Sequence, residues 1–159
     1  VRVVVGSDHA GYKLKEYLKE RLAAWGHTVE DVGTTTTDSC DYPEFGIKVA
    51  ERVVALGGEG GSVGDARGVA VCGSGIGISI AANKVPGARA ALVQEPTAAK
   101  LSRQHNDANI ICFGERLIGQ AVAEEALRVW LETPFEGGRH ARRVALLDRV
   151  GRGEISDKR

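Results

Sequence analysis

The chain carries a cysteine where an apolar run meets a glycine-rich turn, at Cys72 in VAVCGSGIGISI (residues 69–80). A cysteine that ends a strand just ahead of a helix N-terminus sits where a thiolate is stabilised and can work as a base or nucleophile. The same position suits a small core residue, because free cysteine is among the most buried residue types. On the pattern alone both readings stand. Gly73, Gly75 and Gly77 alternate ahead of the helix, so the backbone amides of Gly73, Ser74, Gly75, Ile76 and Gly77 can point into one cavity. Such a nest suits a phosphate, a carboxylate or an oxyanion. A tight strand-to-helix turn also uses glycine, but three in five residues exceed what packing requires. The dinucleotide fingerprint fits badly, since the third glycine comes one residue early and the turn follows the third strand. Glu95 does end the next strand, where a ribose-binding acid could sit.

Three further stretches hold chemistry. SDHAG (residues 7–11) puts Asp8 and His9 at the end of the first strand. Asp8 can steer a proton, hold a hydroxyl or cap the helix that follows, and these roles are compatible. SRQHNDAN (102–109) puts His105 and Asn106 at a helix end. A histidine there can shuttle protons near neutrality or serve as a cation on the helix dipole. GGRHARRV (137–144) gathers Arg139, His140, Arg142 and Arg143. Arg139 and Arg143 are four apart and share a helix face, so their guanidinium forks can hold a phosphate. Arg142 reads as part of a solvated basic face.

The elements that must position these groups alternate along the chain. Residues 2–6 form a buried strand, and Leu14, Leu18, Leu22 and Trp25 lie on one face of the helix after it. HTVEDVG (27–33) is a weaker, half-polar strand. Asp41 and Pro43 suit the start of a second helix, along which Phe45, Val49, Val53 and Leu56 form a stripe. Residues 57–67 read as an exposed loop. GVAVC is the third strand, ARAALV the fourth and ANIICFG the fifth, with helices opening at IGISIAANK, near Pro96 and at GQAVAEEALRVWLE. Strands alternating with helices predict a three-layer α/β/α sandwich around a five-stranded, mostly parallel, Rossmann-like sheet. Ligands of such sheets lie beyond the carboxyl ends of the strands, where GSDHAG, CGSGIG and FGER fall.

Composition narrows the function class. Lys plus Arg, 21 residues, balance 21 Asp plus Glu, so bulk attraction to nucleic acid or to an acidic membrane is not expected. No apolar run is long enough to span a bilayer, and nothing reads as a signal peptide. Three cysteines, Cys40, Cys72 and Cys112, without CxxC spacing fit a reducing cytoplasm better than a disulfide framework or a zinc site. One domain over residues 1–150 with a polar tail over 151–159 is the expected organisation.

Taken together, GSDHAG, DYPEF, VCGSGIGISIAANKVPGARAAL, LSRQHNDANI, FGERLIG and PFEGGRHARRV resemble, in order and over about residues 2–150, the type B ribose-5-phosphate isomerases. That family is shared with bacterial galactose- and allose-phosphate isomerases. The resemblance implies a metal-free, cofactor-free aldose–ketose isomerase that interconverts ribose 5-phosphate and ribulose 5-phosphate through an enediolate. By the family pattern Cys72 is the base, Ser74 returns a proton to oxygen, and the amides of residues 73–77 form the anion hole. Asp8 and His105 match the ring-opening groups, Asn106 a hydroxyl-binding residue and Tyr42 a residue lining the pocket. His9, Arg116, Arg139 and Arg143 match the phosphate-binding set. The family is dimeric with sites built from both chains, and some members associate further into tetramers.

Two alternatives remain beside that reading. One keeps the mechanism with allose, galactose or erythrulose phosphate as the sugar, and the other is a sugar-phosphate or nucleotide binder without turnover. Members that lack the cysteine use a glutamate further along the loop. Here Ile78 holds that place, which makes this chain a cysteine type. Ser74 stands where relatives often have Thr, and the loop at 57–67 is longer than the usual turn.

Overall fold

The computed structural model of the protein describes residues 1–57 and 66–154. Its elements run β1 (Arg2–Ser7), α1 (Tyr12–Ala24), β2 (Thr28–Asp31), α2 (Tyr42–Gly57), β3 (Ala66–Cys72), α3 (Ile76–Ala82), β4 (Ala90–Leu92), α4 (Pro96–Asn106), β5 (Ile110–Gly114), α5 (Gln120–Glu132) and α6 (Arg139–Gly151). The five strands form one sheet in the order β2-β1-β3-β5-β4. Every pairing is parallel, so the mostly parallel sheet expected from the sequence is wholly so.

Period-two alternation sorts the strand side chains into two cores. Val3, Val5, Val69, Val71, Ile111 and Phe113 pack with Leu14, Leu18 and Leu22 of α1, Ala99 of α4 and Leu127 and Trp130 of α5. Val4, Ala70, Cys72, Ile110 and Cys112 face the other way, onto Phe45, Val49 and Val53 of α2 and Ile78 of α3. Fully burying each of the larger apolar side chains is worth about 1.5–3 kcal/mol. The two layers of helices therefore hold the sheet between them, and the three-layer reading stands.

The strand order creates the site. From β1 the chain goes outward to β2, then crosses back over β1 to become β3. Beyond their carboxyl ends the neighbours β1 and β3 diverge, and a crevice opens there. Each helix then carries the chain back, so α4 and α5 end at the opposite, amino edge of the sheet. There Arg67, near the start of β3, donates to the carbonyls of Trp130 and Leu131 at the end of α5. α6 begins at that same edge and buries only His140 and Val144 among its side chains.

Lys15 and Asp31 tie the segment after β2 to α1. The Lys15 side chain is fully buried, and its ammonium donates to both Asp31 carboxylate oxygens at 2.9 and 2.8 Å and to the Thr34 carbonyl. Burial alone would push the Asp31 carboxyl up, but hydrogen bonds from Lys15 and Lys19 outweigh it and hold it below its ordinary value.

The loop expected over 57–67 is shorter at both ends. Gly57 closes α2, while Ala66 and Arg67 already pair in β3. Its remainder, 58–65, lies outside the described residues, as do tail residues 155–159. The first residues of the expected tail are structured, with Gly151 in α6 and the Glu154 amide donating to the Arg149 carbonyl at 2.8 Å.

Candidate active site

A cleft of about 400 Å³ opens at the carboxyl edge, lined by Asp8, His9, Tyr42, Cys72, Gly73, Ser74, Gly77 and Arg116, with Ala10 and Leu117. β1 delivers Asp8 and His9, β3 delivers Cys72, and the loop after β5 delivers Arg116. Asp8 accepts the Gly11 amide at 3.0 Å in the turn ahead of α1, whereas the N-cap position itself is Gly11. Its capping role is thus displaced to the preceding turn. Gly11 is needed there because a Cβ would lie 2.5 Å from the Val71 carbonyl oxygen. That close approach brings α1 and its leading turn down onto β3.

Cys72 is nearly buried, at 4% exposure, and its Sγ accepts the Gly75 amide at 3.1 Å. Gly75 stands at φ +77°, where a Cβ would meet Leu92, the Phe113 carbonyl carbon and the Gly114 nitrogen at 2.6 to 2.9 Å. Only glycine lets the chain turn there and present its N–H to sulfur. α3 has seven residues, too few for a large macrodipole, so the nearby amides dominate the field at the thiol. Cys112, one strand over, is buried completely, and desolvation pushes its thiol far up. Of these two cysteines in one core layer, only Cys72 borders the cleft and has an amide aimed at it.

The five amides proposed from the sequence divide into two groups. Gly75 N–H is committed to Cys72, and Ile76 N–H donates to Ser74 Oγ at 3.2 Å. Those of Gly73, Ser74 and Gly77 have no intrachain acceptor among the described residues. They are the donors left for an anion.

Two side chains cover this loop. The Arg116 guanidinium lies against Gly73, where a Cβ would meet Nη1 at 3.1 Å, and the Tyr42 ring lies on Gly77, 2.6 Å from such a Cβ. His9 Nδ1 accepts the Cys40 amide at 3.1 Å, which leaves Nε2 as the protonated nitrogen of the neutral ring and a donor. Ile78, where some relatives carry glutamate, is fully buried against α2.

Glu115 lies in the FGER stretch, but no local signal in the sequence marked its role. Its Oε1 accepts the Leu14 amide in the first turn of α1 at 2.6 Å, across 101 positions, while its own amide donates to the Cys72 carbonyl at 2.9 Å. The next amide, of Arg116, donates to the Gly73 carbonyl at 3.0 Å. Thus the loop after β5 grips the Cys72 and Gly73 carbonyls and orients the amides of the turn.

His105, Asn106, Arg139 and Arg143 do not line this cleft. His105 and Asn106 end α4, and Arg139 and Arg143 open α6, so all four belong to the amino edge. The His105 ring stacks on His140 there, with centroids 4.4 Å apart and planes 13° from parallel. Arg139 and Arg143 are exposed, and neither has an ion pair among the described residues. His105, Glu136 and His140 bring ligand atoms within 4.8 Å of one another. Near-parallel rings, however, aim their nitrogen lone pairs along parallel planes and not at a common point.

The sequence profile of the Ribose/Galactose Isomerase family matches residues 3–147. The chain belongs to the ribose/galactose isomerase family. Within it, the chain is 41% identical over 149 residues to ribose-5-phosphate isomerase B of Escherichia coli, covering 94% of this chain and 95% of that one. It is 43% identical to ribose-5-phosphate isomerase B of Mycobacterium tuberculosis, over 92% and 88% of the two chains. Among solved structures, the Clostridium thermocellum ribose-5-phosphate isomerase B aligns with a TM-score of 0.89 at 44% identity, over 96% and 99% of the chains. The Mycoplasma genitalium enzyme, solved with bound ribulose-5-phosphate, aligns at 0.87 and 34% identity, over 95% and 96%. The family's parallel α/β architecture is that of this chain. No helix among the described residues is long and apolar enough to cross a membrane.

Proposed function

We propose that the protein interconverts ribose 5-phosphate and ribulose 5-phosphate through an enediolate, with Cys72 as the base. The observation that carries this reading is the Cys72 thiol, held by the Gly75 amide at 3.1 Å at the cleft, with uncommitted amides of Gly73, Ser74 and Gly77 around it. In the open-chain sugar the thiolate removes the C2 proton, and the C2–H electron pair becomes the enediolate double bond as charge moves to O1. Returning that proton to C1 yields the ketose, while Ser74 relays the proton between the oxygens. A preorganised donor aimed at such a charge is worth about 3–4 kcal/mol, and a positioned base on the order of 10²–10⁴-fold. A module that only bound the phosphate would have no use for the thiol.

Asp8 and His105 open the sugar ring, Asn106 binds a hydroxyl, and Tyr42 bounds the pocket. The phosphate is held by His9 through Nε2 and by Arg116, Arg139 and Arg143. Because these groups occupy opposite edges of one sheet, a complete site takes its cleft from one chain and His105, Asn106, Arg139 and Arg143 from a second copy. Apolar side chains left exposed near the cleft, Ile76, Ile80 and Leu117 at 50 to 55%, favour such a dimer. Its unpaired cysteines are at home in the cytoplasm.

The test is a coupled assay across ribose, allose, galactose and erythrulose phosphates for the wild type and Cys72→Ser. Turnover is expected with ribose 5-phosphate. Cys72→Ser is expected to abolish nearly all of it while inorganic phosphate still binds. Wild-type kcat in that variant would overturn the assignment of the base, and preference for another sugar the assignment of the substrate.

A further inference from the structure

The amino-edge half-site contains a buried imidazole that the mechanism above does not use. His140 is 8% exposed, while His105, stacked on it at 4.4 Å and 13°, is half-buried. One face of the His105 ring is thereby covered and its rim left open. The loop that brings His140 there is fastened to α4 at several points. Arg103 Nε donates to the Thr133 carbonyl at 3.2 Å, and the Glu136 amide to the Gln104 carbonyl at 3.1 Å. Gly137 and Gly138, at φ +68° and +55°, then turn the chain into α6, and the His140 amide donates to the Gly137 carbonyl. At the far end of α6, Asp148 is paired with Arg89 at 2.9 Å, and Arg89 also meets Asp107 beside the end of α4. α6 is thus fixed at both ends with its first turn against His105.

We propose that His140 is a positioning residue, which stacks on His105 and holds that ring at the angle its proton transfer requires. The inference rests on the ring-opening role proposed for His105. His105 stands in the last turn of α4 with no side-chain hydrogen bond among the described residues, so its ring would otherwise sample several rotamers, and proton transfer is sensitive to such freedom. Burial, with His105, Arg139 and Arg143 nearby, outweighs the Glu136 carboxylate 3.8 Å away and pushes the His140 imidazole below its ordinary value.

The experiment measures kcat and KM with ribose 5-phosphate for His140→Ala, His140→Phe, His105→Asn and the double variant His105→Asn/His140→Ala. His140→Ala should lower kcat roughly tenfold with little change in KM or in inhibition by inorganic phosphate. His140→Phe, which keeps a stacking ring but cannot titrate, should recover most of that loss. In the His105→Asn background, removing His140 should cost nothing further, because it acts only through His105. If His140→Ala fails to fold, His140→Leu fills the space without a stacking ring and takes its place. A full multiplicative loss in the double variant, or a His140→Phe as slow as His140→Ala, would overturn the proposal. Wild-type turnover in His105→Asn alone would instead remove the ring-opening reading beneath it.

Discussion

Mixing two severely impaired variants tests where the catalytic groups come from. Cys72→Ser breaks the carboxyl-edge half of the site, and His105→Asn the amino-edge half. α4 spans 11 residues, which at about 1.5 Å per residue sets its ends roughly 16 Å apart. Within one chain, therefore, His105 and Cys72 stand at opposite ends of the strands, beyond the reach of one pentose phosphate. In the proposed dimer each site takes one half from each copy, so either variant alone has two broken sites. A mixed dimer gathers both lesions into one site and leaves the other whole. Random pairing of equal amounts makes half of the dimers mixed, each with one working site, so about a quarter of the wild-type activity should return. Two affinity tags, joint refolding and tandem purification isolate the mixed dimer, for which the expected value rises to about half. Ribulose formation from ribose 5-phosphate is the readout, and native mass spectrometry counts the mixed dimers. Mixed dimers no more active than the parent variants would refute the split site, because in a self-contained chain every site keeps one lesion.

Three other perturbations have defined outcomes. Gly75→Ala should destabilise the protein by about 2–4 kcal/mol in urea unfolding, from left-handed strain plus contact with Leu92 and the β5 backbone, and should abolish the amide contact to sulfur. An unchanged midpoint would show that the turn has another conformation available. Asp31→Asn removes the carboxylate that the fully buried Lys15 faces and should cost about 3 kcal/mol. Since the folded Asp31 carboxyl is held below its unfolded value of 3.8, its contribution is complete above that pH and disappears as the pH falls through the folded value. The acid limb of the wild-type stability profile should therefore flatten in the variant, and identical acid limbs would contradict the pairing. Arg143→Ala should raise KM for ribose 5-phosphate several-fold while leaving kcat largely intact, measured by steady-state kinetics; an unchanged KM would remove Arg143 from the phosphate site.

The central strands were legible because β1, β3 and β5 are covered on both faces and read as apolar runs. β4 was harder: the edge strand spans only Ala90–Leu92, although the apolar run continues through Val93, whose amide still donates to the Cys112 carbonyl. In Cys72–Gly77 the chemistry and the turn coincide in sequence, so that half of the site was visible as a motif. The commitment of Gly75 N–H to sulfur and of Ile76 N–H to Ser74 was not, since it depends on a single positive φ and a two-residue side-chain reach. Glu115 was invisible for a different reason. Its carboxylate caps a helix 101 positions away, and nothing local marks such a residue. His105 and Arg143 were recognisable as types, but a linear motif does not say which edge of a sheet it reaches. That follows only when the alternation of strand and helix is followed through α4 and α5 in space.

The position of these half-sites has a kinetic meaning. If a working site needs the carboxyl edge of one copy and the amino edge of another, dissociation does not merely weaken the protein but removes its chemistry. Well below the dimer dissociation constant, the dimer population, and with it the total rate, scales with the square of chain concentration. Specific activity would then fall on dilution and recover when substrate, which bridges both copies, draws chains back together. The cell's supply of this one chain would act as a control on flux with no effector molecule involved.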